Sequence, residues 1–435
     1  MDTAHRIKNF AALARTPVRE AALKLVEVAL ASIDTRAVIR RAVAFISGGL
    51  RIAETTFPLT DNGRIFVVGV GKCSLEAALE LETILGERIT AGVVIDVRCV
   101  EVPRRVRFCL GDHPFPSEKN ITATGSIIEL LSKADQADFI IFIISGGGSA
   151  LLCQPGDHTC LEEVAVTNTL FHSGATIHEI NTVRKHLSLA RGGYLAKHAY
   201  PARAVALIFS DVPGNDLGVV ASGPTVKDIS TSEEAKKIII KYNATGESES
   251  IIKHLIETPK EDKYFERVTN LLLLTNETPL RAMAEAAAGL GFTPIIKNSA
   301  VTGEARLTGE AIARELHLAP LGSAHLYGGE TTVVIRGVGH GGRNQELALG
   351  ALPQLSAGEC LISFASDGVD NGTYAGALCD TITLERAQTV GLDPVALLDR
   401  NDSQSFFSAV GDYLDIGYTG ANVSDLIIAL KSNHV

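Results

Sequence analysis

The stretch FIIFIISGGGSALL, residues 139–152, decides how this chain is read. Six apolar residues without alternation, Phe139 to Ile144, predict a strand buried on both faces, as in a parallel sheet. Gly146, Gly147 and Gly148 then remove side chains from the strand end, and Ser149-Ala150-Leu151-Leu152 suits the opening of a helix. Bare amides at a helix start form an anion cradle. The competing reading is a flexible turn that only reverses the chain.

The same strand–loop–helix pattern recurs on either side. RIFVVGVG (64–71) is a buried strand followed by the helical KCSLEAALELETILG. AGVVIDV and VRFCLG read as strands, and RAVALIFSDVPGNDLG as a strand with a polar end. Such repetition predicts an open α/β sheet. Residues 18–48 read as helical up to a Gly48-Gly49 stop. Residues 228–265 are polar and lack buried-strand patterning, so they read as a connector, with the domain boundary placed between 245 and 246. A second α/β alternation is expected from VTNLLLLTNETPLRAMAEAAAGLG (268–291). It continues through the strands SAHLYGG, TTVVIRG and CLISFASDG. The tail DYLDIGYTGANVSDLIIAL reads as a loop running into a helix.

The 435 residues exceed one ordinary domain. Apolar residues make up 46% and charged residues 21%, which excludes bulk disorder. The net charge of −10, without a basic tract, argues against a nucleic-acid partner. No apolar run approaches the roughly 18 residues a membrane span needs. Seven cysteines without a CxxC pair read as reduced thiols in a cytoplasmic protein. There is no H-E-x-x-H, no G-x-S-x-G and no zinc spacing.

Polar residues gather at the carboxyl ends of the predicted strands, where open α/β sheets bind ligands. In VVGVGKCS, Gly69 and Gly71 fit a dinucleotide fingerprint, but Ser74 stands where its third glycine belongs. Lys72 there either contacts a phosphate or carboxylate or is a solubilising surface lysine. FSDVPGNDLG supplies Asp211 and Asp216, as ligand-binding carboxylates or as turn and cap residues. Gly339, Gly341 and Gly342 lead into Arg343 and Asn344, where a guanidinium and helix amides suit an oxyanion, unless the arginine only lies over its own helix. Asp367 and Asp370 either form turns or hold Mg²⁺ beside a phosphate chain. His113, before a proline, reads as a loop-ordering residue. Lysine, arginine, dispersed carboxylates and no nucleophile–histidine pair favour phosphoryl transfer over hydrolysis or redox chemistry.

The strings ISGGGSALL, NTVRKHLSLARGGYLA, SDVPGNDLGVVASGPT, GGETTVVIRGVGHGGRNQELALG and SDGVDNGTYAGALCD, in this order, resemble the two-domain glycerate kinases whose carboxyl-terminal domain is called MOFRL. The resemblance spans the chain from about Arg40 to ANVSDL. It implies a Rossmann-like domain over 1–245, a smaller α/β domain over 246–435, and an active site in the cleft between them. It implies ATP-dependent phosphorylation of D-glycerate to 2-phosphoglycerate, with Mg²⁺. Carried over by position, Lys72, Arg343, Asp211 and Asp367 are the catalytic candidates, the two aspartates also as metal ligands. Glu330, Asn422 and Ser149 are assigned to the substrate, and Gly146, Gly147, Gly148 and Ser149 to the nucleotide phosphates. The chain has GVGKC where relatives have GAGKA, and Tyr374 where they have an aspartate. Family members have also been described as hydroxypyruvate reductases, a label that the missing third glycine opposes. A non-catalytic metabolite-binding protein is the third reading, and a homodimer is left open.

Overall fold

Three short strands follow the helices Pro17–Ser32 and Thr35–Ala42: Val43–Ile46 (β1), Gly49–Ile52 (β2) and Thr55–Pro58 (β3). They form an antiparallel sheet where the sequence predicts unbroken helix up to Gly48. The β-branched and aromatic run VAFI favours a strand, and Gly48, at φ 83°, closes a two-residue hairpin that pairs Ile46 with Gly49. The computed structural model describes residues 5–244 and 249–433.

The chain divides into two compact units, Thr35–Leu274 and Met1–Asp34 with Thr275–Val435. The boundary expected between 245 and 246 lies outside the described residues, and the units separate elsewhere, at 34/35 and 274/275.

In the first unit Ile65–Val70 (β4), Ile89–Asp96 (β5), Val106–Leu110 (β6), Phe139–Ser145 (β7), Arg203–Phe209 (β8) and Val268–Leu274 (β9) form one sheet in the order β6-β5-β4-β7-β8-β9. Every pairing is parallel. All seven residues of β7 are buried, as the opening stretch predicts. The strand order reverses between β4 and β7, a topological switch point of the kind that binds ligands beyond the strands' carboxyl ends. VTNLLLL, read as the start of the second domain, instead completes this sheet, with Ala204 facing Val268 across the register.

The second unit holds Thr293–Val301 (β10), Ser323–Gly329 (β11), Glu359–Ala365 (β12), Gly376–Asp380 (β13), Tyr413–Leu414 (β14) and Asp425–Lys431 (β15), ordered β10-β11-β15-β12-β13-β14. Only β10 and β11 run parallel. DLIIALK, read as part of a helix, is thus a central strand; a short apolar run cannot be told from buried helix by periodicity alone. TTVVIRG is not a strand. It runs as a loop in which Asn401 Oδ1 accepts from the Arg336 and Gly337 amides, and Asn401 Nδ2 donates to Val334 O.

The amino-terminal helix belongs to this second unit because Arg19, fully buried, reaches two carboxylates: Nε to Asp380 Oδ2 at 2.6 Å and NH1 to Asp412 Oδ1 at 2.9 Å. Removing either partner would strand a buried charge. No helix among the described residues is long and apolar enough to cross a membrane.

Candidate active site

At the switch point of the first sheet, the turns after β4, β7 and β8 bring together Lys72, Gly146–Ser149 and Asp211. Gly71 stands at φ 123°, and a Cβ there would lie 2.0 Å from Ser145 Oγ, so this position must be glycine. Lys72 N donates to Gly146 O at 3.0 Å, locking the β4 and β7 turns together. A Cβ on Gly147 would meet Lys72 Cγ at 3.2 Å and His113 Cδ2 at 3.3 Å, so the lysine and the histidine flank the turn. Burial, reinforced by the charges of Lys72 and Arg184, pushes His113 down to about 4, leaving it neutral at pH 7. Burial raises the Asp211 carboxyl above its ordinary range, against the pull of Lys72.

The helix that opens at Gly148 is a single turn, Gly148–Leu151. Ser149 is fixed by a chain of side chains: Ser222 Oγ donates to Asn181 Oδ1 at 2.6 Å and meets Ser149 Oγ at 2.8 Å. With the Ser222 proton spent on Asn181, Ser149 is the donor in that second contact and keeps only lone pairs for a ligand. Ser222 reaches this position because Ala221 and Ser222 adopt left-handed backbone, φ 50° and 59°, a costly conformation that clusters at functional sites.

The helix Ser74–Leu85 after Lys72 does not present free amides. Leu75 N donates to Asp96 Oδ2 at 3.1 Å, and Asp96, 2% exposed, is pushed up to about 6 by burial. That carboxylate occupies the place where a dinucleotide pyrophosphate would sit in the fingerprint fold.

The second unit repeats the device. The helix Arg343–Ala351 follows a glycine-rich loop, and its first amides are taken by Asp370: Asn344 N and Gln345 N donate to it at 3.1 and 2.9 Å. Asp370 is also buried and pushed up to about 6, burial being the main cause. The helix amides expected to hold an oxyanion therefore already hold a carboxylate. The loop glycines are needed for close packing: a Cβ on Gly337 would lie 2.5 Å from Arg400 O, and one on Gly342 2.2 Å from Asp370 O.

Arg343 is held by two carboxylates. Its Nε and NH2 form a fork on Asp425 at 2.5 and 3.0 Å, and NH2 also meets Glu330 Oε1 at 2.6 Å. Gly329 and Ala365 both pair with Asp425 across the sheet, placing the ends of β11, β12 and β15 side by side. Asp367 accepts from Val369 N at 3.1 Å, and its carbonyl accepts from Thr419 N at 3.0 Å, which ties it to the segment bearing Asn422. A cavity of about 460 Å³ opens beside Arg343, lined in part by Val333, Ile335 and Glu346.

Known proteins are similar to this chain over most of its length. A family model described as Domain of unknown function (DUF4147) matches residues 21–257, and one described as MOFRL family matches residues 323–425. The D-glycerate 2-kinase of Thermotoga maritima is 38% identical over 396 residues, which cover 87% of this chain and 94% of that protein. The chain belongs to the two-domain glycerate kinase family.

A crystal structure of the Thermotoga maritima glycerate kinase superposes with a TM-score of 0.84 at 34% identity, covering 95% of this chain and 99% of that one. Another relative, from Agrobacterium vitis and provisionally named a hydroxypyruvate reductase, is 37% identical and covers 91% of this chain and 94% of its own length. Lys72, Gly146 and Asp211 follow the ends of β4, β7 and β8, Glu330 and Asp367 follow β11 and β12, Arg343 opens its helix, and Asn422 lies in the loop before β15. Lys72, Gly146–Ser149 and Asp211 share one unit, while Glu330, Arg343, Asp367 and Asn422 share the other. Sequence reasoning passed over Asp425, Asp96, Arg184 and Asn181. Asp425 lay within a quoted segment, and the SDLII sequence, an aspartate opening an apolar run, was the available signal.

Proposed function

We propose that this protein transfers the γ-phosphoryl group of ATP to the 2-hydroxyl of D-glycerate. The observation that carries the proposal is the 38% identity across 94% of the Thermotoga maritima D-glycerate 2-kinase. The site chemistry agrees with it. Phosphoryl transfer asks for positioned cations more than for a covalent nucleophile. Each unit offers a cation of the kind that a substrate carboxylate or a moving phosphoryl needs, Lys72 in one and, in the other, Arg343 held rigid by Asp425 and Glu330. Ser149, left as an acceptor, is suited to orient a substrate hydroxyl. The Gly146–Ser149 turn holds phosphate oxygens.

Among the described residues, no three His, Cys, Asp or Glu side chains are grouped to hold a metal. Mg²⁺ that arrives with a nucleotide needs only one or two protein carboxylates besides phosphates and water, so Asp211 or Asp367 fits it. Bound there, the ion would neutralise charge on the phosphate chain. Asp211, raised by burial, is also suited to take the proton of the attacking hydroxyl.

The name of the Agrobacterium vitis relative carries the second reading, reduction of hydroxypyruvate. The carboxylate of Asp96 at the helix start after β4 opposes a nicotinamide dinucleotide at that place. Two assays separate the readings: D-glycerate with MgATP, and hydroxypyruvate with NADH. Phosphorus NMR of the kinase product should match 2-phosphoglycerate; a 3-phospho product would overturn the regiochemistry, and NADH oxidation without ADP formation the whole proposal.

A further inference from the structure

Arg184 lies in the helix Ile177–His186, one turn beyond Asn181, and residues three apart share a helix face. Asn181 is joined through Ser222 to Ser149, so this face of the helix borders the Gly146–Ser149 turn. On the other side of the turn stand Lys72 and His113, each next to Gly147. Arg184 also feels a second buried guanidinium, that of Arg191. Glu163, the carboxylate whose charge reaches both, is engaged by Arg191, with NH1 to Oε1 at 2.5 Å. No carboxylate among the described residues pairs with Arg184. Burial and the charge of Arg191 bring Arg184 down to about 10. A half-buried guanidinium that no carboxylate pairs with is costly, and a bound oxyanion is the group that relieves the cost.

We propose that Arg184, together with Lys72 and the Gly146–Ser149 turn, forms an oxyanion subsite that binds the carboxylate or a phosphoryl group of a ligand. The proposal rests on the kinase reading, which supplies both kinds of anion: the glycerate carboxylate and the nucleotide phosphates. The planar fork of arginine suits either one in a bidentate grip.

Isothermal titration of D-glycerate and, separately, of ADP into wild-type, Arg184→Met and Arg184→Lys proteins tests it. Loss of a charge-assisted pair should weaken one ligand by about 10–100-fold, with a partial return in Arg184→Lys. Weakened D-glycerate binding assigns the subsite to the carboxylate, and weakened ADP binding assigns it to phosphate. Thermal unfolding gives an independent reading: removing an uncompensated cation should raise Tm by about 2–4 °C. A methionine variant that binds both ligands as the wild type does, or that unfolds at lower temperature, overturns the subsite alone. Wild-type protein that binds neither ligand overturns the kinase reading and the subsite with it.

Discussion

The glycine-rich turns of the two units look alike in sequence and differ in charge. Each precedes a helix whose first amides are capped by a buried aspartate from a neighbouring segment, Asp96 in one and Asp370 in the other. Each also carries a basic residue. Around the first turn, the charge of Lys72 reaches the Asp211 carboxylate, and the charges of Lys72 and Arg184 both reach His113. Around the second, Arg343 is gripped by Asp425 and Glu330, with Asp370 close by. The first turn therefore has in Arg184 a cation that no carboxylate among the described residues pairs with, whereas the second has its cation already balanced and oriented. At the helix starts of Ser74 and Arg343, aspartates already take amides, so what these two places offer an anion is chiefly a side-chain cation.

The largest expected effects break this comparison directly. Lys72→Met and Arg343→Ala should each lower kcat/KM for D-glycerate by about 10²–10³-fold, the scale for losing one positioned donor to the transition state. Arg343→Ala should also destabilise the protein, on the order of 2–4 kcal/mol in urea unfolding, because Asp425 is then left buried without its partner. Arg343→Lys should return most of the stability and little of the turnover, since an ammonium cannot reproduce the fork. An Arg343→Ala protein as stable as the wild type would show that Asp425 does not depend on this ion pair.

The next effect lies in pH. Asp96 and Asp370, at about 6 in the folded chain, hold a proton more tightly than an unfolded aspartate near 3.8. Their contribution favours the fold below pH 4 and is lost as pH rises through 6. Each should cost about 1–3 kcal/mol of stability across that interval. Asp370→Asn keeps an acceptor for the helix amides but does not titrate, so the difference between variant and wild type should grow in the variant's favour from pH 4.5 to 7. Parallel stability profiles would mean that Asp370 is ionised throughout and its helix end is a true anion site.

The first unit's site was legible because a parallel sheet converts a local pattern into a location: a buried apolar run ending in glycine puts its next polar residue at the carboxyl edge. Lys72, Ser149 and Asp211 were found that way. Arg343 and Glu330 came from the glycine-rich loop and from family motifs. Charge balance was not legible. Asp425 sits 82 positions from Arg343, and its strand read as helix because a short buried run has no decisive period. Arg184 lies in the last turn of its helix beside Lys185, where a basic pair suggests solvent, and only tertiary packing shows that no carboxylate among the described residues pairs with it. The amino-terminal helix was placed with the first domain since nothing local reveals that Arg19 meets Asp380, 361 positions away.

The smallest expected effect concerns how the first turn is held. Ala221 sits at φ 50° and ψ 25°, a left-handed conformation that costs an alanine roughly 1 kcal/mol and a glycine almost nothing. Glycine gives back part of that gain through the greater freedom of the unfolded chain, so Ala221→Gly should stabilise by about 0.5 kcal/mol. The alanine Cβ also lies against Gly148, only 2.5 Å from where a Cβ would be built there, and helps to wedge the turn. If the strain serves to aim Ser222 at Ser149, the glycine variant should be slightly more stable and yet show a KM for D-glycerate raised about twofold to fivefold, the shift expected when a weak hydrogen bond is loosened. A more stable Ala221→Gly protein with an unaltered KM would mean that the left-handed backbone does nothing for the ligand.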